Sequence, residues 1–194
     1  MTETRFHTMP DGQRIACRFC PGEGPVLVFL PGYMSDMAGG KACAVFDWAR
    51  AQGRACLLLD YSGCGESPGD FADGTLARWR EEVTALIAAK GLDEVVLVGS
   101  SMGGWLMLLA GLELGEQLAG LIGIAANVGT KTTKKVVATT PVETAAIDPH
   151  VAAGAHVVAV DGERRRAEFA RRLLDPELRR EDRPARLRLP PGVD

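Results

Sequence analysis

At 194 residues the chain has room for one domain with a sizeable core, and 46% hydrophobic against 24% charged residues is the balance of a soluble globular protein rather than a disordered one. A net charge of -3 excludes a protein built mainly to grip nucleic acid, because phosphate binding needs a concentrated basic surface. No apolar run is long enough to span a bilayer, and the opening Met1-Thr-Glu-Thr-Arg-Phe-His lacks the apolar core of a secretion signal, so no membrane partner and a cytoplasmic location are expected.

In chain order, Phe6 to Thr8, the turn Pro10-Asp11-Gly12 and Gln13 to Phe19 read as a hairpin, with Ile15, Cys17 and Phe19 alternating to one face. Pro21 to Pro25 is a loop, and Val26 to Leu30 is a continuous apolar strand ending at Pro31-Gly32. Lys41 to Gln52 carries Ala42, Val45, Phe46 and Ala49 at helical spacing, with Gly53 as its stop. Arg54 to Leu59 is the next buried strand, and Asp60 to Ser67 is a glycine-punctuated loop at its end. Thr75 caps a helix whose Leu76, Trp79, Val83, Leu86 and Ile87 form one stripe, stopped at Gly91. The five cysteines, Cys17, Cys20, Cys43, Cys56 and Cys64, fit buried reduced thiols better than a disulfide framework. Cys17-x-x-Cys20 lacks the second pair or nearby histidine that zinc requires, so no metal is expected.

The stretch from Asp93 to Gly115 carries the chemistry. A short β-branched run, Glu94 to Val98, leads without a spacer into Gly99-Ser100-Ser101-Met102-Gly103-Gly104, and Trp105 to Leu112 is apolar nearly all round, as in a buried helix. Strand, tight turn and helix around Gly99-x-Ser101-x-Gly103 match a nucleophile elbow, which lifts a serine above the sheet edge. Ser101 is the candidate nucleophile; the competing reading is a serine that merely caps the helix. Leu118 to Ala125 is a further apolar strand. The alternation of strands and helices implies a mostly parallel sheet with helices on both faces, preceded by the hairpin. Functional groups then gather beyond the carboxyl ends of the strands, where the loops 31–40, 60–67 and the Ser101 elbow share one rim. An oxyanion there would be held by the N–H of Met102 and by a second amide from the loop after the first parallel strand, for which Tyr33 is the candidate.

Leu30-Pro-Gly-Tyr-Met-Ser-Asp-Met37, Asp60-Tyr-Ser-Gly-Cys-Gly-Glu-Ser67 and Gly99-Ser-Ser-Met-Gly-Gly-Trp-Leu106 resemble the α/β-hydrolase superfamily. The wording is similar to a branch that includes the acyl-glucuronide esterase and palmitoyl-protein thioesterase of animal mitochondria and its bacterial relatives. The resemblance covers residues from about 25 to 125. It implies a serine hydrolase cleaving oxygen or thio esters, on a small-molecule or acyl-protein substrate, with no cofactor.

That order of nucleophile, acid and histidine requires a base after Ser101, where only His150 and His156 stand. His156 opens the apolar run Val157 to Val160, which places it at the amino end of a strand and, in a parallel sheet, roughly 15 Å from the rim. Both histidines therefore read as ordinary surface or edge residues. Where the family pattern expects the acid, Val160-Asp161-Gly162-Glu163-Arg164-Arg165 has an arginine, so Asp161 and Glu163 are the nearest substitutes; Glu163 also suits the start of the helix 163–174. Arg183 to Leu189 alternates as an exposed-edge strand, and the final Pro190-Pro-Gly-Val-Asp194 suggests a chain that stops short of its base and closing helix. Residues 126–154 stand where relatives carry a cap and are read as a short loop insertion in a single domain, 1–194. Two functions follow: a serine esterase or thioesterase working through an acyl-enzyme, or a non-catalytic or truncated relative lacking the histidine.

Overall fold

The computed structural model describes residues 3–124 and, as backbone, residues 155–159. They build a seven-stranded sheet. β1 (Arg5–Thr8) and β2 (Arg14–Cys20) form the antiparallel hairpin, and β2 pairs antiparallel with β4 (Arg54–Leu59). From β4 the sheet continues through β3 (Glu23–Leu30), β5 (Val95–Ser100) and β6 (Leu118–Ile124), all parallel, to β7 (Ala155–Ala159). The strand β3 starts earlier than its apolar run, because Glu23 already pairs with Arg54 and its N–H bonds Gly53 O at 2.9 Å.

Alternation along each strand sorts side chains into two cores. Val26, Val28 and Leu30 of β3, Leu57 and Leu59 of β4 and Leu97 of β5 pack with α2 (Leu76–Ala89) and α3 (Met102–Leu114). Leu27, Phe29, Leu58 and Val98 pack on the opposite face with α1 (Gly40–Ala51). Thr75 accepts the N–H of Arg78 at 3.1 Å as the cap of α2. Residues three apart on a strand face opposite ways, so Cys17 joins the α2/α3 core and Cys20 the α1 core. That separation puts the two thiols of Cys17-x-x-Cys20 on opposite faces of the sheet.

One expectation is corrected here. The strand β7 runs antiparallel to β6, with His156 opposite Gly123 and Ala159 opposite Gly120. Its amino end therefore lies at the carboxyl rim of the parallel strands, and His156 sits beside that rim instead of a strand's length below it. The carboxyl end of β7, at Ala159, accordingly points away from the rim. Asp161 and Glu163 themselves, His150, the loop 126–154, the helix 163–174 and the strand 183–189 lie outside the described residues.

The rim is held by a carboxylate. Asp60, 1% exposed at the end of β4, accepts the N–H of Met37 on one oxygen at 2.6 Å and that of Glu66 on the other at 2.8 Å. Its carbonyl accepts the Ser67 hydroxyl at 2.7 Å, and Ser67 Oγ in turn accepts the N–H of Ala16 at 2.8 Å. Four separate backbone segments meet there. Burial pushes the Asp60 carboxyl above its usual value of 3.8; the Glu66 and Met37 amides pull it down, while the Asp36 and Glu66 charges push it further up.

Two outcomes follow from this scaffold. Gly103→Ala would drive a methyl to 2.6 Å from Pro31 O and harder still against Leu30 O, both fixed backbone atoms, so denaturant unfolding is expected to show a loss of about 1–3 kcal/mol or more. In Asp60→Asn an N–H₂ faces a backbone N–H, which costs about 1–3 kcal/mol. Because the folded state holds the Asp60 proton more tightly than the unfolded state, Asp60 favours folding most below pH 3.8 and loses that contribution as pH rises through its raised native value. The stability gap between wild type and Asp60→Asn should therefore narrow as pH climbs across that window in urea titrations; a widening gap would contradict it.

Candidate active site

The strand β5 ends at Ser100, and Ser101 turns the chain into α3 at φ 51°, ψ -115°, a conformation an L residue rarely adopts. Such a residue costs about 1–3 kcal/mol and persists only where its surroundings over-determine it. Those surroundings are visible. Ser101 N–H bonds Ile124 O of β6 at 3.2 Å, Ser101 O accepts Gly104 N–H at 2.9 Å, and a Cβ on Gly99 would lie 2.7 Å from Gly104 Cα. The Ser101 side chain makes no capping hydrogen bond to its helix. The hydroxyl is thus not consumed by the local turn, as a helix-cap serine's would be, and the residue is half-buried at the rim.

Met102 is the first residue of α3, where backbone N–H groups lack intrahelical partners and the helix dipole favours negative charge. The loop after β3 lies directly on the elbow: a Cβ on Gly32 would be 3.1 Å from Ser101 Cβ and 3.1 Å from Ser100 O. Tyr33 follows Gly32, so the segment bearing its amide is packed against the serine. Three restraints hold that segment. Tyr61 Oη donates to Pro31 O at 3.1 Å, Ser35 N–H bonds Gly32 O at 3.1 Å, and Met37 is fully buried in the α1 core with its N–H on Asp60. Between them Met34 takes φ 51°.

An aromatic chain ties the same loop to α2. The Tyr33 ring meets Phe71 edge-on with centroids 5.2 Å apart, Phe71 lies 5.6 Å from Trp79, and Trp79 stacks on Tyr61 at 5.3 Å. Trp79 Nε1 donates to Ser62 O at 3.2 Å, and Ser62 N–H donates to the buried Glu82 at 2.9 Å. Pairs of this kind add about 0.5–1.5 kcal/mol each beyond burial. Tyr33 and Met34 themselves are 62% and 75% exposed, on the loop whose Gly32 lies against Ser101.

Some features of the site were not legible in the motifs. Lys41, at the start of α1, donates through Nζ to Ser100 Oγ at 3.3 Å, setting a positive charge beside the elbow on the face opposite α3. Nothing in its local sequence marks it, because the contact joins residues far apart in the chain. Asp60 carries a faint signal, a carboxylate placed between a buried strand and a glycine-rich loop. Among the described residues no group of three or more His, Cys, Asp or Glu is arranged to hold a metal ion.

Comparison with known proteins places this geometry in a family. Residues 27–193 match the profile described as "Alpha/beta hydrolase family". The chain is 40% identical over 133 residues to the human mitochondrial palmitoyl-protein thioesterase ABHD10, an alignment covering 69% of this chain and 44% of the human protein. The chain thus spans less than half the length of that curated relative. Among solved structures it is similar to alpha/beta hydrolase domain-containing protein 10 from mouse, at 36% identity and TM-score 0.62, covering 73% of this chain and 56% of that one. A putative hydrolase from Agrobacterium vitis S4 gives 37% identity and TM-score 0.61, covering 65% and 53%. The cytoplasmic expectation is corrected by the same comparison: the human, Pongo abelii and Bos taurus relatives are all named mitochondrial. The absence of an apolar secretion core was a poor guide, since organelle-targeting leaders are amphipathic rather than apolar. Among the described residues no helix is long and apolar enough to cross a membrane. With the elbow, the mixed sheet and the profile in agreement, the chain belongs to the alpha/beta hydrolase family.

Proposed function

We propose that this chain carries the nucleophile half of a hydrolase for carboxylic esters or thioesters, with Ser101 as the attacking group. The observation that supports this most is the left-handed Ser101, strained into the turn yet making no hydrogen bond to its own helix. Ser101 Oγ attacks the acyl carbon, the carbonyl oxygen takes on negative charge, and the N–H groups of Met102 and Tyr33 stabilise it. Collapse of that intermediate expels the alcohol or thiol and leaves an acyl-serine, which water hydrolyses. A serine hydroxyl is a weak nucleophile unless a base takes its proton. The exposed Tyr33 and Met34 favour an apolar acyl group, in keeping with the relatives named as palmitoyl-protein thioesterases, whose mitochondrial naming also makes mitochondria the proposed compartment.

A fluorophosphonate probe tests this directly, because it traps an activated serine without needing the natural substrate. The folded chain should be labelled on Ser101, and Ser101→Ala should abolish labelling and lower kcat/KM for a long-chain acyl thioester by roughly 10⁴-fold or more. A folded chain that takes no label would instead support the non-catalytic reading. Gly32→Ala presses on Ser101 Cβ without touching the hydroxyl, so it should slow labelling by about 10–100-fold while the protein stays folded.

A further inference from the structure

The sheet brings two cysteines face to face. In the antiparallel ladder between β2 and β4, Cys20 is the direct partner of Cys56, and both side chains point into the α1 core. The ladder phase follows from Asp60 N–H bonding Ala16 O at 3.0 Å, which makes Ala16–Asp60 a hydrogen-bonded pair. Counting inward by twos, Cys20–Cys56 is a pair of the same kind, with Cα atoms about 5.5 Å apart. Disulfides span Cα distances of about 4.4–6.8 Å, so the backbone already has the spacing of a crosslink. Both thiols are free in this structure.

The two sulfurs are not equivalent. Cys56 is fully buried, whereas Cys20 is the last residue of β2, 6% exposed, with its Sγ 3.7 Å from Arg54 O. The neighbouring Cys56 side chain, against the opposing effect of burial and helped by the Cys56 backbone and the charge of Arg50, holds the Cys20 thiol below its usual range. Burial and the neighbouring Cys20 push Cys56 up. The other cysteines lack such a partner: Cys17 faces Leu59 across the ladder, Cys43 Sγ rests 3.4 Å from Ala38 O, and burial raises Cys64.

We propose that Cys20 and Cys56 form a peroxide-responsive dithiol, with Cys20 as the attacking sulfur and Cys56 as the resolving one. The Cys20 thiolate attacks one oxygen of hydrogen peroxide and breaks the O–O bond; the departing hydroxide takes a proton and leaves as water, with Cys20 now a sulfenic acid. Cys56 then loses its proton as its sulfur attacks that of Cys20, and the expelled hydroxide becomes a second water. Two thiols and one peroxide thus give one disulfide and two waters. The new bond ties β2 to β4 directly and encloses β3 and α1 between its ends.

The test treats the full folded chain with one equivalent of hydrogen peroxide, alkylates remaining thiols and maps the peptides. A Cys20–Cys56 crosslinked peptide is expected, with the alkylatable thiols falling from five to three and returning to five with a dithiol reductant. In Cys56→Ser, Cys20 should accumulate as a sulfenic acid that dimedone traps. The proposal is overturned if Cys43 or Cys64 oxidises first, if Cys20 and Cys56 both stay alkylatable, or if a folded Cys56→Ser gives no dimedone adduct. The wild-type map decides alone should Cys56→Ser not fold.

Discussion

The candidate site depends on how closely the first turn of α3 approaches the end of β3. At Gly103 there is no room for even one carbon beyond the backbone, because the carbonyls of Leu30 and Pro31 occupy it. That contact brings the helix down onto the neighbouring strand, and the chain can make so short a passage from β5 to α3 only by forcing Ser101 into a left-handed conformation. Strain of this size is repaid by packing on both sides, since β5 is paired along its length with β3 and β6. The same approach places the β3 loop against Ser101, so one steric constraint sets both the nucleophile and the segment that would supply an oxyanion donor.

Holding that loop is a separate problem, solved with polar groups. Catalytic electrostatics work through donors fixed before charge develops, and a loop of exposed residues cannot fix its own amides. Here the Asp60 carboxylate, the Tyr61 hydroxyl and the buried Met37 side chain fasten the segment from the sheet side. The comparison with the surface is instructive: the Arg50–Asp47 pair, exposed and 3.9 Å apart, contributes little, whereas each amide lost from Asp60 leaves a buried polar group unpaired.

The division of the chain also shapes its chemistry. The proposed nucleophile and oxyanion donors lie just beyond the carboxyl ends of the parallel strands β5 and β3, while the acid is sought in segments after β6. A hydrolase's serine, acid and histidine come from different strand ends by design of the fold, and the alignment to the human relative covers 44% of that protein. The reversed β7 adds a second point: a histidine that looks misplaced by its position in a strand is at the rim once the strand's direction is known.

Local pattern alone was enough for much of this. Arg54 to Leu59 is a strand because six residues bury an apolar run, Thr75 and Gly53 mark helix ends because their chemistry suits only those positions, and Ser101 is identifiable because strand, glycine turn and apolar helix follow one another without interruption. The direction of β7, the clamp at Asp60, the reach of Lys41 and the facing of Cys20 by Cys56 were decided only in three dimensions. Alternation reports which face a residue occupies, and it reads the same whichever way a strand runs. Direction, register and hydrogen-bond partner belong to pairs of segments distant in sequence, and no single segment carries them.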